Sequence, residues 1–290
     1  MRKRKDNLTF SKMKNRHTLT AVIVTAMMAT AHNAVAQSAD GPRTEITNTK
    51  LIGVGASQIL DTYISPEHYD GTEFRFVDNT ERRRNSGGGT NAYSKWSTDI
   101  RHQAFVSHTS PRSDDSKDIA GLYTFGMGRH RHWDLAGGSL HLKAGITGQA
   151  SIGFLYNTRN GNNPGQLRTG INLSPSAAAV YDFRLFGKRF SVEYEVTAPL
   201  VGLMFTPHYG QSYYEIFTRG NYDHNIVATT PFNAPSMQNA LTLQMHLRHL
   251  SVSVGYLGDY RQSDVNNLKY HNYSHLVVVG LTKRFYIVKL

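Results

Sequence analysis

The sequence has no cysteine, only two tryptophans in 290 residues, and 18% charged residues. Without cysteine there is no disulfide and no thiolate-bound metal, and no acylation site follows an export signal. Long apolar runs are missing too. Past residue 36 no stretch approaches the roughly 18 consecutive apolar residues of a membrane helix. Helical 3.6-residue patterning is also hard to find. A chain this long, exported and without disulfides, must find its stability in a large core or in a bilayer.

What is present begins with a targeting signal. A basic tract (Arg2, Lys3, Arg4, Lys5, Lys12, Lys14, Arg16) precedes an apolar run, Leu19 to Ala31, and then Ala34-Val35-Ala36. These are the three parts of a secretory signal peptide, residues 1–36, cleaved after Ala36. The apolar run is too short to stay as an anchor. Met13 offers a second start without changing the mature chain. Removing seven Lys/Arg and one Asp lowers the net charge from +11 to +5. Much of the basic character is therefore signal, and nucleic acid is not expected as a partner.

The mature chain, 37–290, alternates. Leu140, Leu142, Ala144, Ile146, Ala150, Ile152, Phe154 and Tyr156 alternate with His141, Lys143, Thr147, Gln149 and Ser151. The same period recurs over 51–60, 72–84, 93–108, 118–130, 171–186, 190–200, 237–247, 250–261 and the closing stretch 273–290. About ten strands, each suited to crossing a bilayer, predict an all-β antiparallel transmembrane barrel. A soluble β-sandwich is the competing fold. Loop lengths favour the barrel. Connections near 87–89, 137–138, 187–188 and 248–249 are read as short periplasmic turns. The loops 61–71, 109–117, 157–168, 206–235 and 262–269 are read as longer extracellular ones. Twelve strands result if 206–235 hides a hairpin around Tyr213 to Arg219.

The polar faces of these strands predict a narrow lumen plugged by charges of both signs. The expected network is Glu193, Glu195, Asp182, Asp259, Lys143, Arg184, Arg261 and Arg284, with Asp99 and Arg101 nearby. A narrow-substrate channel is the alternative. Catalysis has one weak candidate cluster, Asp223, His224 and His208, in the longest loop. There an Asp–His pair would activate water for an outer-membrane hydrolase, an omptin-like protease or a lipase. Asp61, His68, Asp70, Asp114, Asp115, His271 and His275 are also assigned to the outer half. Fourteen histidines make chance Asp–His neighbours common. No phosphate loop, cofactor or metal site is expected. Arg129-His130-Arg131-His132 beside Trp133 is read as a basic–aromatic border at lipid headgroups.

One motif goes further. Ile59-Leu-Asp-Thr-Tyr-Ile-Ser-Pro-Glu-His-Tyr-Asp-Gly71 resembles the opening of an uncharacterised barrel family of Bacteroides-type Gram-negative bacteria, known as a domain of unknown function. That resemblance implies an outer-membrane location and no activity. Together these readings predict an outer-membrane barrel serving surface interaction or envelope integrity. Its expected partners are membrane lipid including lipopolysaccharide, the barrel-insertion machinery and an extracellular ligand.

Overall fold

The computed structural model describes residues 43–85, 93–113, 116–161 and 163–288. The signal peptide, the Gly87–Gly89 turn, Asp114 and Asp115 lie outside them. Twelve strands run in chain order: β1 Arg43–Asp61, β2 Ser65–Asn85, β3 Tyr93–Ser110, β4 Asp118–Leu135, β5 Leu140–Asn157 and β6 Gly165–Leu185. Then follow β7 Lys188–Thr197, β8 Val201–Phe205, a short helix α1 Tyr213–Phe217, β9 Ile226–Thr229, β10 Met237–His246, β11 Ser251–Val265 and β12 Leu268–Val288.

Ten of the strands close a ring, β5-β4-β3-β2-β1-β12-β11-β10-β7-β6, through the β5–β6 pairing. All neighbours are antiparallel. The two extra strands, β8 and β9, hang from the outer half of β6. The alternation predicts the facing correctly. Val54, Phe74, Val106, Ile152, Tyr194, Val254 and Val277 are exposed on the outside, while Ser57, Glu73, Gln103, Ser191, Asp259 and Ser274 are buried within. A ring that satisfies its own backbone hydrogen bonds and turns apolar side chains outward spans a membrane as a barrel.

The border predicted around 129–132 follows the same alternation. Arg129 and Arg131 point outward and lie over the rings of Trp96 and Trp133, each 5.4 Å from the centroid. His130 and His132 point inward, His130 to Asp99 at 2.7 Å and His132 to the Ser97 hydroxyl at 2.9 Å.

Several boundaries differ from the sequence reading. The segments 61–71 and 262–269 are not long loops. β1 passes to β2 through Thr62–Ile64, and β11 passes to β12 through Asn266 and Asn267. Both asparagines take positive φ, 54° and 60°, which Asn tolerates better than most residues. Strands of 18–21 residues, about twice what a bilayer needs, carry the ladder well beyond it. Tyr213 to Arg219 holds no hairpin. Ser212 accepts from the Glu215 backbone and the Glu215 carboxylate accepts from the Ser212 backbone, a capping box that starts α1.

One end of the barrel, here the terminal end, carries the first residue of β1, the last of β12 and the turns 136–138 and 186–187. The opposite, lid end carries the long segment 198–236.

Candidate functional site

The lumen is built in layers. Nearest the lid end, Asp61 is ion-paired with Arg168, whose guanidinium lies 3.5 Å from the Tyr270 ring centroid. Beside it Asn157 donates to Asp118 at 2.7 Å and to the Tyr69 hydroxyl at 2.9 Å. Asp61 and Asn157 end β1 and β5 and Asp118 begins β4, the last two lying one residue beyond the outward-facing Tyr156 and Ile119. Burial raises Asp61, with Arg168 opposing, and burial also pushes Asp118 up to about 6.

Below them the inward face turns apolar: Ile59, Phe105, Ala120 and Leu155 form a buried cluster with Leu122 and Tyr270 against it. An apolar patch inside a membrane barrel is unusual, because the lumen side is normally polar. A cavity of about 200 Å³ opens beside it.

The next layer is ionic. Arg75, 1% exposed, binds Glu73 at 2.6 Å and Asp259 at 2.5 Å, and Arg261 reaches the same Asp259 oxygen at 3.0 Å. Ser274 donates to Glu73 at 2.6 Å. Further toward the terminal end, Arg101 holds Glu195 at 2.6 Å and Lys143 bridges Glu81 at 3.0 Å and Asp99 at 3.1 Å. Gln244 donates to Glu193 at 3.0 Å. Charges this deep are tolerated because each finds an opposite partner.

The structure thus places Glu195, Asp259, Lys143 and Arg261 in ion pairs and Glu193 in a hydrogen bond. Asp182 accepts from Ser191 and lies 3.4 Å from His141, near the terminal mouth. Arg184 and Arg284 are exposed there and make no ion pair among the described residues. Glu73 and Arg75, the most buried of the network, are absent from the set expected from the sequence, although they alternate with Phe74 and Phe76. Their alternation with those phenylalanines was the available signal.

At the lid end, residues 206–225 fold over the mouth. Tyr63 donates to the Gln211 carbonyl at 2.9 Å, the Leu167 amide donates to the Tyr213 hydroxyl at 2.7 Å, and Asn266 donates to the His224 carbonyl at 2.9 Å. Ile216 is fully buried. Burial raises the phenols of Tyr63 and Tyr213. The three catalytic candidates do meet here. His224 Nδ1 lies 2.6 Å from Asp223, and His208 Nε2 lies 3.0 Å from the Asp223 carbonyl. His224 and Asp223 are 78% and 79% exposed, so water screens the pair. No described nucleophile hydrogen-bonds to them, and the cavity lies elsewhere. The remaining outer-half candidates scatter. The rings of His68 and His271 pack at a tilt of 34° with centroids 5.1 Å apart, His275 accepts from or donates to Tyr256 on the outer wall at 2.7 Å, and Asp70 accepts from Gln58 at 2.8 Å. Among the described residues no cluster of acidic and histidine groups is suited to a metal.

Several solved structures share the barrel shape. The transport unit of the autotransporter AIDA-I from Escherichia coli has 8% identity, covers 88% of this chain and 94% of its own, and gives a TM-score of 0.44. The β domain of the Bordetella autotransporter BrkA has 10% identity, 83% and 99% coverage, and a TM-score of 0.42. The outer membrane protease OmpT from Escherichia coli has 8% identity, 87% and 99% coverage, and a TM-score of 0.40. No curated protein matches the sequence. A family described as "Protein of unknown function (DUF3316)" matches residues 10–290, nearly the whole chain, and the protein belongs to it.

Proposed function

We propose that this is an outer-membrane barrel whose lumen is sealed by paired charges and whose lid presents a binding surface outside the cell. The observation that carries the reading is the aromatic character of the lid end. Tyr209, Tyr214, Phe217 and Tyr222 are all exposed within 14 residues. Water-facing aromatics in such density favour association with a partner, because each offers much apolar area at low entropic cost. The paired charges below leave the barrel as a rigid support. Longer connections belong to the extracellular side, which puts the lid outside and the terminal end in the periplasm.

The orientation and the seal are tested together. The chain has no cysteine, so Tyr222→Cys supplies one reporter thiol. A membrane-impermeant maleimide is expected to label it on intact cells, and labelling only after lysis would reverse the orientation. In planar bilayers the purified barrel is expected to give no stable conductance steps, and large steady steps would end the sealed reading. A hydrolase is the less supported reading, since Asp223 and His224 stand in open water. Loss of a measured protease or lipase activity in Asp223→Asn would restore it.

A further inference from the structure

Among the described residues the barrel wall has one break, and it lies beside the apolar part of the lumen. β7 and β10 pair as far as Thr197↔Gln238, and pairing resumes between β8 and β9 at Gly202↔Thr229. Between those rungs four residues, 198–201, face eight, 230–237. The mismatch is written in prolines: Pro199 on one side, Pro231 and Pro235 on the other, none able to donate to a ladder. β9 has no strand on its other edge. No ladder joins 230–236 to β11 among the described residues: the Asp264 amide donates to the Asn233 carbonyl at 2.8 Å, and Ser236 and Gln262 exchange two hydrogen bonds through the serine hydroxyl, at 3.2 and 3.5 Å.

The cavity runs through this gap. Its lining joins two kinds of surface that a continuous wall would separate: the exposed outer residues Phe154, Ile171 and Leu203, and the lumen residues Ile59, Phe105 and Leu122. Thr197, Pro199, Thr230 and Ala234 form its rim. At the neighbouring rungs of β11 and β12, Tyr256, Tyr260, Tyr273 and His275 pack together on the outer wall. Such aromatics mark the level where headgroups meet hydrocarbon.

We infer that a single hydrocarbon chain of an amphiphile enters sideways through this window. It lies against the Ile59–Phe105–Leu122 surface, with its polar head left at the aromatic level outside. One side of the cavity is apolar, from Ile59, Phe105 and Leu122 to the outer Phe154 and Ile171, while Gln103, Gln149, Gln238 and the paired charges line the other, so a hydrocarbon chain lying on the apolar side covers surface that water would leave unsatisfied. The size fits a chain end: about 150 Å³ of apolar cavity takes one benzene, and here about 200 Å³ is available in a cavity that opens outward. Asp259, Arg261 and Arg101, already paired, line its inner side.

The test uses the full barrel in vesicles. In a Trp96→Phe/Trp133→Phe background, Phe105→Trp places the sole indole in the cavity. One arm uses vesicles whose phospholipid chains carry bromine. The other uses plain vesicles with added bromododecanoic acid. Bromine quenches indole only at close range. Phe105→Trp is expected to lose fluorescence in one arm or both, which also tells a bilayer chain from a free one. Ile146→Trp on the lipid face should be quenched by the brominated phospholipid. Val278→Trp, inside the lumen and away from the window, should stay bright. Filling the cavity with Ala120→Phe should restore the Phe105→Trp signal. The inference is overturned if Phe105→Trp stays bright in both arms, or if it is quenched no more than Val278→Trp. Tyr270→Trp serves as the reporter if Phe105→Trp loses the heat-modifiable mobility of a folded barrel.

Discussion

Arg75 on β2 and Asp259 on β11, 184 positions apart, bind each other at 2.5 Å across the lumen. Two strands, β1 and β12, separate theirs around the ring. The contact therefore crosses the barrel's interior rather than following its wall, and it joins the first third of the chain to the last.

Removing Arg75 alone should cost more than removing it together with the carboxylate it strands. Arg75→Met leaves Glu73 buried without a cation while Arg261 still holds Asp259, and a lone buried charge costs about 3–5 kcal/mol. The double variant Arg75→Met/Glu73→Leu should recover part of that loss. Denaturant unfolding in detergent checks both, and equal destabilisation by single and double variants would refute the argument.

Acid should tighten the lid end. The folded-state carboxyl of Asp118 sits at about 6, above its ordinary value, so the folded chain binds more protons than the unfolded one between roughly pH 4 and 6. Stability contributed there is greatest below that window and falls as pH rises through it. Asp118→Asn, which keeps an uncharged side chain of similar shape, should raise the thermal midpoint at pH 7 and change it little at pH 4. A variant that is less stable at pH 7 would contradict this.

The lid depends on a five-residue helix with a side-chain cap. Ser212→Ala removes the acceptor for the Glu215 amide and should weaken the cap by about 1 kcal/mol. The hydrogen bond from the Ser212 amide holds the Glu215 carboxyl below its usual value. Hydrogen exchange of residues 211–219 should quicken while the β1–β12 amides stay protected. Unchanged lid exchange would show that Ile216 burial alone holds the segment.

Deleting 285–290 removes the rungs Ile46↔Phe285, Glu45↔Tyr286 and Thr44↔Ile287. The sealed rim at the terminal end then opens, and the aromatic end that the insertion machinery is expected to read is gone. Loss of membrane-inserted protein is the expected outcome, checked by fractionation and heat-modifiable mobility. Normal insertion would remove that role from Phe285 and Tyr286.

Much of this fold was legible. A two-residue period reports which side of a strand faces an apolar medium, and a bilayer makes that signal strong: Ile152 and Phe154 face out while Ser151 and Leu155 face in. Strand ends were less legible, because beyond the bilayer both faces meet water and the alternation fades. For this reason Ser65–Gly71 and Gln262–Val265 read as loop although both are paired. The lumen charges were readable as a class but not as pairs, since partners such as Lys143 and Glu81 lie 62 positions apart. The Asp223–His224–His208 meeting was anticipated, but its exposure could not be read from residue types. The inner apolar cluster was hidden for a physical reason. Ile59, Phe105 and Leu155 look like misplaced members of a polar face until strands from across the ring bring them together.

The seam between β1 and β12 has a consequence for the order of events. It runs without a register shift from Arg43↔Val288 to Asp61↔Tyr270, joining the earliest described residues to the last. Every other strand of the ring can find a partner as the chain lengthens, but this pair cannot exist until β12 has been made. Such distant pairing is slow to form because the intervening chain must first be brought together. Until then two long edges stand open, each a template for a neighbouring molecule. The unfinished barrel, with both edges unpaired, is consequently the vulnerable species.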